Sequence, residues 1–168
     1  MGMIANMLQV TNEELEEIII DSSILEDRVF SEEAKNDANL LDIDQYWEGI
    51  FFMLTGKTIT EVESVKSPLL WMFFSDKLVD EELNFGYGPP NYIDSDQVKE
   101  VNVELKRITS EEFKSRYDSK RMVDLNIYPN IWDDSGDDLE HLTEYFSKLK
   151  SFYERAAVEN KCVINFIN

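Results

Sequence analysis

The two ends of the chain carry the β-like apolar patterns in this sequence. Residues from Met1 to Val10 are rich in apolar side chains with a loose alternation of polar positions, which favours a strand. Near the other end, Lys161 to Ile167 is rich in β-branched and apolar residues, as an interior strand requires. We therefore predict a strand at each end of the chain, and we expect the two to pair or lie close together.

Between these segments, apolar residues recur at helical spacing. Thr11 and Glu14 have the spacing of a capping box, which predicts a helix directly after the first strand. The expected buried stripe of this helix is Leu15, Ile18 and Ile19. The acidic stretch that follows, from Glu26 to Asn39, is predicted to be a solvated loop or a weak helix.

Two further helices are predicted in the middle of the chain. Asp42 or Asp44 is the candidate N-cap of the first, and Gly56 is placed to end it. The apolar positions of this helix are Trp47, Ile50, Phe51 and Leu54. Ser67 before Pro68 begins the second, because serine suits the cap and proline is tolerated at the first helical position.

The glycines and prolines of Gly86–Pro90 interrupt the pattern and predict a shaped loop. Asp94 or Ser95 then caps a helix, and Thr109 with Glu112 forms the capping box of another. The apolar positions of these two helices are Val98, Val101, Leu105, Ile108, Phe113 and Tyr117. Before Pro129 we expect extended backbone at Ile127 and Tyr128.

The longest helix is predicted after an aspartate-rich turn at residues 133–138. Its apolar stripe is Leu139, Leu142, Phe146, Leu149, Tyr153 and Ala156. The sequence contains no repeat and no linker. We therefore predict that residues 1–168 form one compact α+β domain, in which several helices pack with a small sheet that includes the N- and C-terminal strands.

Charge narrows the possible functions. The 168 residues contain 16 Lys and Arg against 35 Asp and Glu, a net charge of −19, which argues against binding to nucleic acid or to an anionic membrane. With one cysteine and one histidine, the chain lacks the residues for a disulfide framework, a Cys/His zinc site or most Ser-His and Cys-His nucleophiles. We expect a cytoplasmic protein with no cofactor and no metal, and we favour a binding protein over an enzyme.

Several short strings, in their order along the whole chain, resemble the YfbM-like family, catalogued as domain of unknown function 1877. They are Met1-Gly2-Met3-Ile4, Leu41-Asp42-Ile43-Asp44 with Trp47, Leu54-Thr55-Gly56, Gly86-Tyr87-Gly88-Pro89 with Tyr92, Glu111-Glu112-Phe113, and Ile127-Tyr128-Pro129 with Trp132. The resemblance implies a single α+β domain of a bacterial cytoplasmic protein. It implies no reaction and no catalytic residues.

Two groups of residues are candidates for a functional site. The aromatic residues Trp47, Tyr87, Tyr92, Tyr128 and Trp132 could line a pocket, although filling the core is the alternative that we favour. The carboxylates Asp133, Asp134, Asp137 and Asp138 are candidate contacts for a partner, together with the stretch Glu26–Asp37. The aspartates do not fit a calcium-binding loop, and at a helix N-terminus they complement the helix dipole without a metal.

The remaining polar candidates have ordinary structural interpretations. His141 falls between apolar positions of its helix and should point to solvent, whereas Cys162 should be a small buried side chain. Lys120 and Arg121, with Arg116 and Lys114 nearby, form a basic patch, and we expect intramolecular ion pairs there.

Two functional hypotheses from different classes remain. The first is a non-enzymatic acidic protein of the immunity or inhibitor type, which covers a basic protein partner. The second is a small-molecule-binding protein or enzyme that uses the aromatic residues around the Gly-Pro loop. The distribution of carboxylates over the surface and the presence of a cavity at that loop discriminate between them.

Overall fold

The two end strands form the centre of a four-stranded antiparallel sheet in the computed structural model, which describes residues 2–168. Strand β1, Ala5–Val10, pairs along its whole length with β4, Cys162–Ile167. The short strands β2 (Leu40–Asp42) and β3 (Asn91–Ile93) lie outside β1 and β4, which gives the order β2-β1-β4-β3. The predicted α+β class and the pairing of the two chain ends are confirmed.

Both faces of the two central strands are covered. In β1, Ala5 and Met7 face a larger core, whereas Leu8 and Val10 face a smaller one on the opposite side of the sheet. Side chains of successive strand residues point to opposite faces. A strand buried on both faces therefore reads as an almost continuous apolar run, and this explains the composition of the two end segments.

Seven α-helices surround the sheet. They are α1 (Asn12–Ile20), α2 (Ser23–Val29), α3 (Trp47–Thr55), α4 (Ser95–Arg107), α5 (Ser110–Ser115), α6 (Ser119–Asp124) and α7 (Asp137–Val158). Short 3₁₀ helices span Ala34–Asn36, Asp44–Tyr46, Ile59–Ser64 and Pro68–Met72. Helices α1 and α2 cover the smaller core, whereas α3, α4 and α7 form most of the larger one. No helix within residues 2–168 is both long and apolar enough to cross a membrane.

The predicted ends of several helices are confirmed. The capping boxes at Thr11, Asp94 and Thr109 are formed, each with its partner side chain at the third helical position. Gly56 ends α3 with φ at 71°, a conformation that glycine adopts without a steric penalty. The predicted shaped loop at Gly86–Pro90 is also present, as an irregular turn before β3.

Other expectations were wrong. Ile19 is 42% exposed rather than buried, because three consecutive isoleucines cannot all face one side of a helix. Neither Asp42 nor Asp44 caps α3, since Leu40–Asp42 is an edge strand and a 3₁₀ turn leads directly into Trp47. By contrast, the stretch Glu26–Asn39 agrees with the predicted loop or weak helix, because it contains the end of α2 and a short 3₁₀ turn.

The segment before α7 also differs from its prediction. Ile127–Pro129 forms a turn with a cis Tyr128-Pro129 peptide, not an extended strand.

Two short helices also differ in detail from their predictions. Ser67 caps its helix as predicted, by accepting a hydrogen bond from the Leu69 amide, but that helix is 3₁₀. The residues around Lys120 form a separate helix, α6, which Asp118 caps.

The larger core depends on aromatic packing between α5 and α7. The Phe113 and Phe146 rings are stacked, with centroids 4.1 Å apart and planes inclined by 9°, and neither side chain is exposed. Helix α5 has only six residues. So short a helix is stable only through such packing.

Replacement of Phe146 with alanine should lower the free energy of unfolding by about 3–5 kcal/mol, because it removes a fully buried ring and leaves a cavity. Urea unfolding followed by circular dichroism measures the change. Val103→Ala in α4 is the control, since Val103 is 49% exposed and its truncation should change stability by about 0.5 kcal/mol or less. A similar decrease in the free energy of unfolding in the two variants would contradict the packing described for α5 and α7.

Candidate functional site

The five aromatic candidates do not line a common pocket. Trp47 and Trp132 are buried in the larger core. The Trp47 indole donates to the Met3 carbonyl at 3.1 Å, and the Trp132 indole donates to the Ile127 carbonyl at 2.7 Å. Both polar edges are therefore used inside the protein, which is how buried tryptophan is normally satisfied.

Tyr128 joins the start of the chain to the start of α3. Its hydroxyl accepts a hydrogen bond from the Met3 amide at 2.8 Å and lies 3.3 Å from the Gln45 side-chain oxygen. Its ring lies 6.2 Å from that of Trp47. Several of the strings that resemble the family thus meet in one structural cluster.

Glu48, which the sequence analysis did not single out, is a buried carboxylate beside this cluster. It is only 5% exposed, and its Oε2 accepts a hydrogen bond from the Tyr128 amide at 3.0 Å. The side chain borders a cleft of about 720 Å³ between residues 58–61 and 125–130. Burial raises the pKa of Glu48 above its ordinary value, against the opposing effect of backbone hydrogen bonds. The sequence feature that could have identified Glu48 as a buried carboxylate is its position inside an otherwise apolar helix.

The two remaining tyrosines lie near the Gly-Pro loop but play different roles. Tyr87 is 51% exposed and borders a cleft of about 230 Å³ together with Gly88 and Pro89. Tyr92 in β3 is partly buried and packs against the smaller core. Of the five candidates, Tyr87 alone borders this cleft.

The four candidate aspartates at the start of α7 differ in accessibility, because Asp133, Asp134 and Asp137 are exposed and Asp138 is buried. Asp138 is only 8% exposed and lies 3.4 Å from the Tyr46 hydroxyl. Burial, with a contribution from the charge of Asp133, raises its pKa. Asp134 accepts a hydrogen bond from Ser119, and Asp133 accepts one from the Ser135 amide. Asp138 is therefore the least accessible of the four candidate contacts.

His141 and Cys162 lie where the sequence placed them. His141 is exposed, but its Nδ1 is 3.1 Å from the Tyr46 hydroxyl and not paired with a neighbouring glutamate. Cys162 is buried in β4, and burial raises the pKa of its thiol. Within residues 2–168, no cluster of three or more His, Cys, Asp or Glu side chains is arranged to hold a metal ion.

The basic patch borders a cleft of about 860 Å³. Lys120 pairs with Asp124, as expected. Arg116 instead donates to the Met53 and Leu54 carbonyls at the end of α3, and the Arg121 guanidinium lies 5.3 Å from the centre of the Phe52 ring. The expectation of ion pairs thus holds for Lys120, whereas the two arginines are used in other ways.

The densest negative charge lies on the layer formed by α1, α2 and the following 3₁₀ turn. Residues 12–37, which we call the acidic layer, contain ten Asp and Glu and two Lys and Arg, a net charge of −8. Arg28 pairs with Glu14 at 3.5 Å and with Asp37 at 2.9 Å. No other salt bridge within 4.0 Å is formed by this layer in the described part of the chain. The exposed carboxylates that remain unpaired are Glu13, Glu16, Glu17, Asp21, Glu26, Asp27, Glu32 and Glu33.

Exposed apolar side chains interrupt this charge where α1 meets α2. Ile20 is 86% exposed, Ile19 42% and Ile24 40%, and we call these three residues the isoleucine corner. Single exposed apolar residues are common on protein surfaces. Here three of them fall within six positions of the chain, and the unpaired carboxylates Glu17, Asp21 and Glu26 are close to them in sequence.

Comparison with known proteins supports the fold and the family. The family model described as "Domain of unknown function (DUF1877)" matches residues 1–166. This chain belongs to the DUF1877 family. The DUF1877 fold is seen again in the crystal structure of YfbM from Escherichia coli, a protein of unknown function, with a TM-score of 0.72 and 18% identity. That match covers 99% of this chain and 100% of YfbM. No curated protein sequence matches this DUF1877 chain.

The buried Glu48 gives this DUF1877 protein a testable pH dependence. Because the folded-state pKa is raised, the folded protein binds this proton more tightly than the unfolded chain, so folding is favoured as pH falls through the folded pKa towards 4.5. Wild type should therefore gain stability relative to Glu48→Gln between pH 7 and pH 5. Urea unfolding of both proteins at each pH measures this difference, and contributions from the other carboxylates cancel. A difference that stays constant with pH would contradict the raised pKa.

Proposed function

We propose that this protein is a non-enzymatic binding protein that covers a basic protein partner, in the manner of immunity and inhibitor proteins. The observation that carries the proposal is the acidic layer with the isoleucine corner at its centre. Eight exposed carboxylates there have no cation within 4.0 Å in the described part of the chain. A partner with lysines and arginines would supply those cations.

The acidic layer and the isoleucine corner together have the composition expected of a protein–protein interface. Binding energy is concentrated in a few central side chains that lose their water, and polar groups around them exclude solvent and select the partner. The isoleucine corner supplies an apolar centre, dominated by Ile20. The surrounding charge supplies orientation and steering, because complementary charge acts mainly on the association rate.

The aspartates before α7 remain a second predicted contact region. The acidic layer is the stronger candidate, because Asp133 and Asp134 already accept hydrogen bonds from Ser135 and Ser119, and Asp138 is largely buried. Asp137 is exposed.

We also propose that the protein acts in the bacterial cytoplasm, which cell fractionation with an antibody to this chain would test.

The isoleucine corner should be required for capture of the partner. The immobilised protein is used to capture binding proteins from lysate of the cells that produce it, in parallel with Ile20→Ser. Val158→Ser is the matched control, because Val158 is 76% exposed at the far end of α7. We expect a protein of basic isoelectric point to be retained by wild type and the control but reduced about tenfold on Ile20→Ser, since the isoleucine side chain contributes about 1.4 kcal/mol of buried apolar contact. A partner of acidic isoelectric point, or equal loss in both variants, would overturn the proposal.

The association rate of that purified partner should depend on the charge of the acidic layer. Changing Glu13, Glu16 and Glu17 together to glutamine should slow association about tenfold at roughly 10 mM salt and much less at about 150 mM, where the Debye length falls from roughly 30 Å to 8 Å. The matched variant changes the exposed residues Glu100, Glu111 and Glu140 to glutamine, which removes the same charge outside both predicted contact regions. Stopped-flow fluorescence measures both rates. Equal slowing would show that net charge alone acts, and would remove the acidic layer as the contact region.

A further inference from the structure

The cleft that Glu48 borders shares no residue with the acidic layer. It has a volume of about 720 Å³ and lies between the start of the 3₁₀ helix Ile59–Ser64 and the turn at residues 125–130. Glu48 is 5% exposed, and every other residue that borders the cleft is exposed or half-buried. A carboxylate therefore marks the inner end of this cleft.

The Glu48 carboxylate is positioned by backbone amides. Its Oε2 accepts a hydrogen bond from the Tyr128 amide at 3.0 Å, and the Ile59 amide provides a second backbone hydrogen bond. A carboxylate has about four acceptor positions, and no other hydrogen bond to Glu48 is formed in the described part of the chain. Acceptor positions therefore remain for a donor that enters the cleft.

No cation of this chain compensates the charge of Glu48. Within residues 2–168, no Lys, Arg or His nitrogen lies within 4.0 Å of its carboxylate. Burial raises the pKa of Glu48 in spite of the hydrogen bonds from the two amides. These hydrogen bonds therefore do not offset the cost of burying the charge, and a cation beside the carboxylate would reduce that cost.

Glu61, the other acidic residue at this cleft, is already balanced. Its Oε2 accepts a hydrogen bond from the Thr58 amide at 3.0 Å, and its Oε1 lies 3.5 Å from the Lys57 Nζ. No Lys, Arg or His side chain borders the cleft. The unbalanced charge in the cleft is thus that of Glu48. The net charge of −19 on the whole chain also favours a cation over an anion there.

The outer part of the cleft is apolar on two sides. Ile59 is 36% exposed and Leu125 is 43% exposed, and both border the cleft from different elements. The Pro129 ring borders it as well. Such surface is stabilised when an apolar group removes it from water. The walls therefore suit a ligand that carries an alkyl chain behind its cationic group.

Both sides of the cleft are ordered by the protein itself. Thr58 and Glu61 form a capping box at the start of the 3₁₀ helix. In the opposite turn, the Asn130 amide donates to the Ile127 carbonyl at 2.8 Å, and the Asn130 side chain donates to that of Asn126 at 2.9 Å. A ligand would not have to order either side, which lowers the cost of binding.

We infer that this cleft binds a small organic cation, an alkylammonium ion whose N–H groups donate to the Glu48 carboxylate. Its alkyl chain packs on Ile59 and Leu125. A free amine and the side chain of a lysine in a peptide both present this group, and the test below distinguishes them. The inference does not rest on the acidic layer, so either proposal can fail without the other.

The direct test is a titration of the ¹⁵N-labelled protein with n-pentylammonium chloride at pH 8 and about 150 mM salt, followed by NMR. The ammonium group remains charged at this pH, because its pKa is about 10.4, as for lysine. We expect binding in the millimolar range. The largest shifts should occur at the Tyr128 and Ile59 backbone amides, which donate to Glu48. Pentan-1-ol, which has a similar size and no charge, should bind about tenfold more weakly.

A matched pair of variants separates Glu48 from the general negative charge of the protein. Glu48→Gln keeps an acceptor for the Tyr128 amide but removes the charge, and it should weaken binding about tenfold. Glu63→Gln removes the same charge from an exposed position in the adjoining 3₁₀ helix that does not border the cleft, and it should leave binding unchanged. Urea unfolding curves verify that both variants are folded.

A second pair tests the apolar wall without changing Glu48. Leu125→Ser should weaken binding of n-pentylammonium about threefold to tenfold, because it removes apolar surface that the alkyl chain covers. Val123→Ser is the control, since Val123 is 41% exposed in α6 and does not border the cleft. This pair tests the inference even if Glu48→Gln does not fold.

Four results would overturn the inference. They are the absence of shifts at Tyr128 and Ile59 up to about 50 mM n-pentylammonium, equal binding of pentan-1-ol, equal binding by Glu48→Gln and Glu63→Gln, or equal binding by Leu125→Ser and Val123→Ser. N-acetyl-lysine methylamide then identifies the source of the cation. Tighter binding of this blocked lysine than of n-pentylammonium would support a lysine in a peptide, and equal or weaker binding would support a free amine.

Discussion

The pairing of β1 with β4 is the constraint on which the rest of the structure depends. It joins the two ends of the chain, and the Asn6 and Asn168 side chains, 162 positions apart, are hydrogen-bonded across it. Closing so long a loop costs about 4–5 kcal/mol of chain entropy. A six-residue ladder buried on both faces repays that cost only when helices cover each face, so the two cores and the central strands are interdependent.

Several buried polar groups beside the sheet are only partly satisfied. Gln9 donates from its Nε2 to the Phe152 carbonyl and thereby attaches β1 to α7. Its Oε1, the Tyr153 hydroxyl and the Asn165 Oδ1 are all buried without a partner. Each of these atoms lies below the surface, so it is a cost of packing and not a group that a ligand reaches.

The distribution of charge follows from how the few cations are used. Arg116 and Lys150 donate to backbone carbonyls, of Met53 and Leu54 and of Ile108, rather than to carboxylates. Arg155 likewise donates to the Ala38 carbonyl. Because these side chains satisfy backbone acceptors between elements, they leave carboxylates of the acidic layer without counterions. The acidic layer thus carries −8 of the net charge of −19, although it spans only residues 12–37.

The elements with strong local signals can be predicted from the amino-acid sequence alone. They are the two end strands, the capping boxes at Thr11, Asp94 and Thr109, and the long helix α7. Capping and hydrophobic period act over a few residues, so they can be read without knowing the fold. The three-residue strands β2 and β3 carry no such signal and exist because β1 and β4 offer them edges. The exposure of Ile19 and the burial of Glu48 appear only in the folded structure. Each of these depends on which distant element packs against the residue, and no local pattern contains that information.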